Sequence, residues 1–193
     1  LLGMLNVKYI VGPSSPSFED IADLELAYDG EVKIYRNSHF LPRAFAVHGS
    51  KVLQGSERIL AELKDPRFDP REYVILEEGQ SRIASQSPSE VTILWSGVDE
   101  IKLAAEMEEE GFVVLSNQYY PGWRAYVDGR EERIYQANYI LMAVPLAEGS
   151  HTVKFVYEPP MHQINLLVRI IVPLALAGAL LYRRYSTRRL AKG

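Results

Sequence analysis

The chain has 193 residues, of which 47% are hydrophobic and 24% are charged, so it can bury the core of one ordinary domain with an appendage. It contains no cysteine, which excludes disulfides and thiolate ligands or nucleophiles. Residues 1–163 hold all 25 acidic residues and 15 basic ones, a formal net charge of −10, and so acidic a body is a poor partner for nucleic acid.

The first half of the chain has the pattern of short strands joined by turns. Residues 5–11 predict a strand, and the alternating apolar residues on either side of Asp29-Gly30 predict a hairpin that turns at this pair. Strands are also predicted over 43–49 and 72–78. Between them, residues 55–65 predict one short helix with Ser56 as its N-cap. Residues 79–89 are polar and rich in turn formers, which predicts a loop.

The second half of the body repeats the strand pattern at closer spacing. Strands are predicted over 91–96, 100–107, 111–118, 123–127, 133–146 and 151–158. Many short strands separated by turn signals are typical of an antiparallel β-sandwich or jelly roll. We therefore expect residues 1–160 to form a mainly β domain of this class.

The most distinctive segment is "YYPGWRAYVDGREERIYQANY", residues 119–139. It contains two turn signals, Pro121-Gly122 and Asp128-Gly129, which we expect to be structural requirements. Its aromatic residues are candidate glycan contacts, because rings stack on sugar faces; they are Tyr119, Tyr120, Trp123 and Tyr126. The competing interpretation is that they fill a core, and for Trp123 we favour the core.

An apolar stretch ends the chain. Ile164 to Tyr182 are 19 residues with one charge, Arg169, long enough as a helix to cross a hydrocarbon core. We predict a transmembrane helix over 161–185 with the lipid bilayer as its partner, and a basic cytoplasmic tail over 186–193, which leaves the body outside the cell. Because the chain begins without a methionine or a signal peptide, we expect it to be the C-terminal piece of a longer protein.

No catalytic constellation is evident in the sequence. The four histidines (His39, His48, His151 and His162) lack metal-ligand spacing, and there is no glycine-rich phosphate loop or Gly-x-Ser-x-Gly motif. We therefore predict no catalytic residue, no metal and no cofactor in this chain.

Four segments and the apolar stretch behind them, occurring in order, resemble the C-terminal region of the YfhO family of bacterial polytopic membrane proteins. The segments are "LLGMLNVKYIV", "FLPRAFAVHG", "DPRFDPREYVILEE" and "VVLSNQYYPGWRAYVDGREERIYQANYILMAVPLAEGSHTVKFVYEP". The resemblance implies a glycosyltransferase of the GT-C type in the bacterial plasma membrane. Such an enzyme takes sugars from polyprenyl-phosphate carriers outside the membrane and modifies cell-envelope polymers.

The resemblance also implies how this chain would take part. The catalytic acids of such enzymes lie in an earlier extracytoplasmic loop, so the present chain would be a non-catalytic extracytoplasmic domain. Its partners would be the remaining membrane helices and an envelope glycan or polyprenyl-linked sugar. The alternative is a structural or protein-interaction sandwich with no glycan role.

Overall fold

The computed structural model describes residues 2–13, 23–83, 87–159 and 170–178. The chain divides into two units, Leu1–Tyr157 and Glu158–Gly193. Within the described residues the first unit is mainly β with one helix, and the second contains a short helix over residues 170–178. The prediction of a mainly β chain with antiparallel sheets is confirmed.

The first unit contains fourteen strands and one helix within its described residues. In chain order these are β1 (Tyr9–Pro13), β2 (Leu24–Asp29), β3 (Val32–Asn37), β4 (Ala44–Val47), β5 (Gly49–Val52), α1 (Ser56–Lys64), β6 (Tyr73–Leu76), β7 (Glu90–Ser96), β8 (Glu100–Met107), β9 (Gly111–Leu115), β10 (Trp123–Val127), β11 (Arg130–Glu132), β12 (Tyr135–Ala137), β13 (Leu141–Leu146) and β14 (Gly149–Tyr157).

The strands form three sheets. Their orders are β1-β3-β2, β11-β10-β14-β8-β7 and β4-β9-β13-β12-β6-β5. Neighbouring strands are antiparallel except β5 and β6, which run parallel. The prediction of a fully antiparallel sandwich or jelly roll was therefore wrong at the β5–β6 edge of the six-stranded sheet. The reason is α1, which lies between β5 and β6 in the chain and supplies the crossover that a parallel pair needs.

One hydrophobic core lies between the five-stranded and six-stranded sheets. In β8, Ile101, Leu103 and Ala105 are buried and alternate with less buried residues, so they share one face. They pack in the same cluster as Val113 and Leu115 of the six-stranded sheet. The two sheets thus face each other as in a β-sandwich.

A second core covers the opposite face of the six-stranded sheet. Phe112 and Val114 point to this side and pack in one cluster with Ile59 and Leu63 of α1. All five residues of β9 are buried as a result. The six-stranded sheet is a middle layer, with a sheet on one face and the helix on the other.

Two element ends differ from the sequence prediction. The N-cap of α1 is Gly55, with φ of 90° and no side-chain cap, so the prediction that Ser56 is the N-cap was wrong. Glycine takes this positive φ readily and lets the chain turn directly into the helix. The first strand begins at Tyr9 rather than residue 5, because Asn6 has a positive φ and its N–H donates to the Gly3 carbonyl at 3.0 Å.

The predicted strand over 133–146 is interrupted. Asn138 and Tyr139 have φ of 46° and 76°, so the chain turns between β12 and β13. Asn138 is buried and exchanges two hydrogen bonds with Ile75. Its Oδ1 accepts the Ile75 N–H at 2.9 Å, and its own N–H donates to the Ile75 carbonyl at 2.8 Å. The side chain thereby replaces ladder bonds where β6 and β12 share a single residue pair.

The turn residues have distinct backbone conformations. Asp128 and Gly129 both have positive φ, 51° and 80°, as a type I′ turn between β10 and β11 requires. Gly122 has φ of 110° in a turn that ends with the Trp123 N–H bonded to the Tyr120 carbonyl. Gly30, in the β2–β3 hairpin, lies against the Tyr28 ring, where a Cβ would come within 2.5 Å of the hydroxyl oxygen.

The predicted membrane helix falls largely outside the described residues. Residues 170–178 are helical, whereas 161–169, 179–185 and the tail 186–193 are not described. Among the residues that the structure does describe, none belongs to a helix of sufficient length and apolarity to cross a bilayer.

Replacing Gly129 by valine should lower the free energy of unfolding by about 1–3 kcal/mol, because a β-branched residue would have to adopt positive φ. No atom lies within 4 Å of the position of a Cβ, so the backbone conformation causes the loss. Urea titration of the full chain in detergent measures it. Gly129→Asn is the matched control and should lose less, since asparagine tolerates this conformation. Equal midpoints for wild type and Gly129→Val would contradict the turn assignment.

Candidate functional site

Tyr119 and Tyr120 lie in the connection from β9 to β10. The Tyr119 N–H donates to the Ile140 carbonyl at 2.7 Å, which fixes this loop against the turn that precedes β13. Both tyrosine side chains remain accessible, Tyr119 to 39% and Tyr120 to 57%. They are therefore available to a ligand or another surface.

Trp123 occupies a different environment although it is three residues away. It is the first residue of β10 and is paired with Tyr157 of β14; their ring centroids are 5.4 Å apart. The indole is half-buried and packs against the core between the two sheets. The centroid of the Tyr120 ring lies 6.5 Å from the centroid of the same Tyr157 ring. The three rings form a continuous row from the surface into the core.

Tyr126 does not belong to this row. Strand alternation places it on the opposite face to the buried Ala125, and its neighbours across the strands are Lys154 and Glu131. The four predicted contact residues are therefore not one platform. Tyr119, Tyr120 and Trp123 lie at one end of the sandwich, and Tyr126 lies on the outer face of the five-stranded sheet.

Trp95 is an exposed aromatic residue that the sequence interpretation treated only as part of a strand. It lies on the edge strand β7, next to a bulge between Ile93 and Trp95, and is 59% exposed. Its Nε1 lies 3.2 Å from where a Gly97 Cβ would stand, so the ring reaches the turn between β7 and β8. Beyond the bulge Trp95 is opposite Lys102, so it lies near the end of β7 on the outer face of the five-stranded sheet, and "VTILWS" alone carries no signal for this position.

Hydrogen bonds tie the connections at this end of the sandwich to one another. The Arg43 guanidinium donates to Ser96 Oγ at 2.8 Å and to Asn117 Oδ1 at 2.9 Å, which joins the two sheets. The Tyr157 N–H donates to the Asp99 carbonyl at 2.7 Å.

The segment before β1 is held at the same end. The Ser116 hydroxyl, which follows β9, donates to the Met4 carbonyl at 2.6 Å. We call this region the apolar end, after its exposed large side chains: Leu5, Trp95, Val98, Tyr119, Tyr120 and Ile140.

The opposite end of the sandwich is acidic. We define the acidic end by its exposed carboxylates, which are Glu106, Glu108, Glu109, Glu110, Asp128 and Glu148. Arg82 pairs with Glu110 at 2.6 Å. The Asp128 carboxylate accepts the Thr152 N–H at 2.8 Å and lies 2.7 Å from His151 Nδ1. The hydrogen bond from the Thr152 N–H lowers the pKa of Asp128 most, and the hydrogen bond with His151 lowers it further.

The outer face of the five-stranded sheet carries an ion pair network. Glu100 contacts Lys154 at 2.9 Å and Lys102 at 3.1 Å. These two lysines are directly opposite each other in β14 and β8, and Glu100 offsets their repulsion. The lysines, Lys154 first, lower the pKa of Glu100.

A cleft of about 960 Å³ lies between the β1-β3-β2 sheet and the segment after α1. Its lining combines apolar residues such as Leu24 and Phe68 with the repeated Asp-Pro-Arg sequence of residues 65–71. Asp65 accepts bonds from the side chain and the backbone of Arg67, which lower its pKa. The Arg67 guanidinium is therefore already neutralised by Asp65.

A serine and a histidine come together where the sequence indicated no such pair. Ser89 Oγ lies 3.0 Å from Nε2 of the buried His48, whose Nδ1 is 3.4 Å from the Glu110 carbonyl. The same Oγ accepts the Glu108 N–H at 3.0 Å. Neither the cleft above nor a smaller one of about 420 Å³ is lined by this pair. These contacts connect the segment before β7 to the acidic end.

No group of three or more potential metal ligands occurs among the described residues. His39 Nδ1 lies 3.1 Å from Asp23 Oδ1, while His162 is outside the described residues.

The two ends of the sandwich define the class of this body: it is a β-sandwich with an apolar, aromatic end and an acidic end.

A family model described as "Bacterial membrane protein YfhO" matches residues 63–169, more than half of the chain. The chain therefore belongs to the YfhO family of bacterial membrane proteins, and the resemblance inferred from its sequence is confirmed. No curated protein and no solved structure matches it.

Replacing Asp128 by asparagine should reduce stability at neutral pH. The amide keeps an oxygen for the Thr152 N–H and tolerates positive φ, but it loses the charge beside His151. A carboxylate with a lowered folded-state pKa stabilises the fold above its unfolded pKa of about 3.9, and this contribution is lost as the pH falls through the folded value. Urea midpoints from pH 7 downward measure the effect. The gap between wild type and variant should begin to narrow near about pH 3.9 and close once the pH is below the lowered folded-state pKa of Asp128; a gap independent of pH would contradict the ionic contribution.

Proposed function

We propose that this chain is the non-catalytic extracytoplasmic domain of a membrane-embedded glycosyltransferase, followed by that enzyme's last membrane helix. The enzyme would transfer sugars from polyprenyl-phosphate carriers to polymers of the cell envelope. Membership of a bacterial membrane protein family supports the membrane setting. The domain would hold or shape the acceptor near the outer opening of the enzyme.

The observation that carries the glycan role is the pair of accessible tyrosines at the apolar end. Tyr119 and Tyr120 are exposed, and Tyr120 rests on the Tyr157 ring, which Trp123 supports from the core. Rings held in this way lose little freedom on stacking against a sugar. Trp123 would then support the site rather than contact the glycan.

The proposed membrane helix is supported by the sequence Ile164 to Tyr182 and by the helical conformation of residues 170–178. The side chains of that short helix are all exposed and apolar. The basic residues after it favour a cytoplasmic C-terminus.

This topology predicts opposite accessibility for two introduced cysteines, and the natural chain has none to interfere. Glu57→Cys, on the exposed start of α1, should react with an impermeant thiol reagent in whole cells. Ser186→Cys should react only after the membrane is permeabilised. The reverse pattern would place the body in the cytoplasm and contradict the proposal.

Replacing Tyr120 by alanine should weaken binding of an envelope glycan such as purified lipoteichoic acid. A stacking contact of about 0.5–1.5 kcal/mol corresponds to an increase in Kd of about 2- to 13-fold. Microscale thermophoresis of the full chain in nanodiscs measures it. Tyr28→Ala is the matched control, because Tyr28 is 54% exposed, close to the 57% of Tyr120, but lies on the three-stranded sheet. Equal Kd values for the two variants would remove the aromatic loop from the glycan site.

The same chain should transfer and hydrolyse nothing when it is incubated with a polyprenyl-phosphate sugar. Turnover that survives purification would overturn the non-catalytic assignment. If Ser89→Ala abolished that turnover, the activity would belong to the Ser89–His48 pair. Absence of both turnover and glycan binding would favour the alternative, a structural module, which the packing of Trp123 against the core also fits.

A further inference from the structure

We infer that the sandwich stands end-on at the bilayer, with the apolar end resting in the outer lipid interface and the acidic end pointing away from it. This inference rests on the proposed membrane anchor and adds a second, independent contact between the chain and the lipid. Its ligand is the boundary between phospholipid headgroups and acyl chains.

The first argument is the chemistry of the apolar end. Val98 is 99% exposed, Trp95 59% and Tyr120 57%. Single exposed apolar residues are ordinary on a protein surface, but their collection at one end marks a contact surface. The end also presents an indole and two phenols, and such amphipathic rings prefer the headgroup level of a membrane.

The second argument is the reach of the chain. β14 ends with Tyr157 at the apolar end, and the apolar stretch begins at Ile164. Tyr157 and Ile164 are seven residue steps apart, so the chain between them spans at most about 25 Å. If Ile164 enters the hydrocarbon, Tyr157 lies within that distance of it, which favours the end that contains Tyr157 as the one that meets the interface.

The third argument is the charge on the opposite end. The acidic end carries six exposed carboxylates, and Arg82 is paired to only one of them. An anionic lipid surface repels such a cluster, particularly within a Debye length of about 8–10 Å. The apolar and acidic ends therefore favour the same orientation through different forces.

A second exposed apolar surface lies on the three-stranded sheet, where Tyr9, Val11 and Tyr28 are more than half exposed. It serves as the competing contact surface. A bilayer bound through this sheet would place Tyr28, rather than Trp95, in the lipid. The experiment must distinguish these two surfaces and the acidic end.

Tryptophan quenching by brominated phospholipids distinguishes them, because the chain has only two tryptophans, Trp95 and Trp123. The full chain is reconstituted into vesicles of phosphatidylglycerol and phosphatidylethanolamine, with or without bromine on the acyl chains. Trp123→Phe leaves Trp95 as the reporter. Tyr28→Trp and Glu148→Trp, each with both natural tryptophans replaced by phenylalanine, report on the three-stranded sheet and the acidic end.

We expect the brominated lipid to reduce Trp95 emission and to leave the emission of the Glu148→Trp and Tyr28→Trp probes unchanged. Quenching at Tyr28→Trp without quenching of Trp95 would overturn the inference in favour of the other sheet. If bromine left the emission of every one of the three probes unchanged, the inference would be overturned altogether. If Trp123→Phe fails to fold, the difference between wild type and Trp95→Phe gives the Trp95 signal instead.

A carbonate wash of the same vesicles separates this inference from the proposed anchor. If the chain stays in the membrane but Trp95 is not quenched, the proposed anchor stands and the end-on contact is wrong. A chain that is washed out and shows no quenching before the wash contradicts both.

Discussion

A sheet buried on both faces is the constraint on which the rest of this structure depends. Val113 and Leu115 of β9 face the five-stranded sheet, whereas Phe112 and Val114 face the core that contains α1. Fully burying such a side chain contributes about 1.5–3 kcal/mol, so both faces stabilise the fold. Shifting β9 by one residue would exchange its two faces, and each set would meet a core shaped for the other.

The packing of the two sheets also determines where their connections meet. Because β8 and β9 are consecutive and the sheets are joined by Arg43 at the far end, the loops before β10 and after β7 lie together there. Exposed Tyr119 and Tyr120 of the loop before β10 and Val98 of the loop after β7 therefore lie at the same end, and the carboxylates of the β8–β9 connection lie at the other end. The packing of the core thus determines that the domain has an apolar end and an acidic end. This difference between its ends can orient the domain at a membrane.

Much of the fold is visible in the sequence, because strands with strong alternation and turns with unusual φ leave local signals. β8 and β10 have the predicted bounds, and Asp128-Gly129 has the backbone that this dipeptide favours. The parallel β5–β6 pair and the Asn138 interruption depend on contacts distant in the chain, which periodicity does not report. The same applies to the site. Tyr119 and Tyr120 were found as aromatic residues in a turn-rich segment, but the position of Trp95 at the same end depends on the pairing of β7 with β8 and on the packing of the two sheets.

The contact of the apolar end with lipid is the central claim, and spin labels test it directly. The chain has no cysteine, so Val98→Cys and Glu148→Cys each carry a single nitroxide on the full chain in vesicles. Power saturation compares collisions with oxygen, which concentrates in lipid, and with a water-soluble nickel complex. The label at Val98 should collide more with oxygen and less with nickel than the label at Glu148. The same water-like ratio at both positions would contradict the orientation.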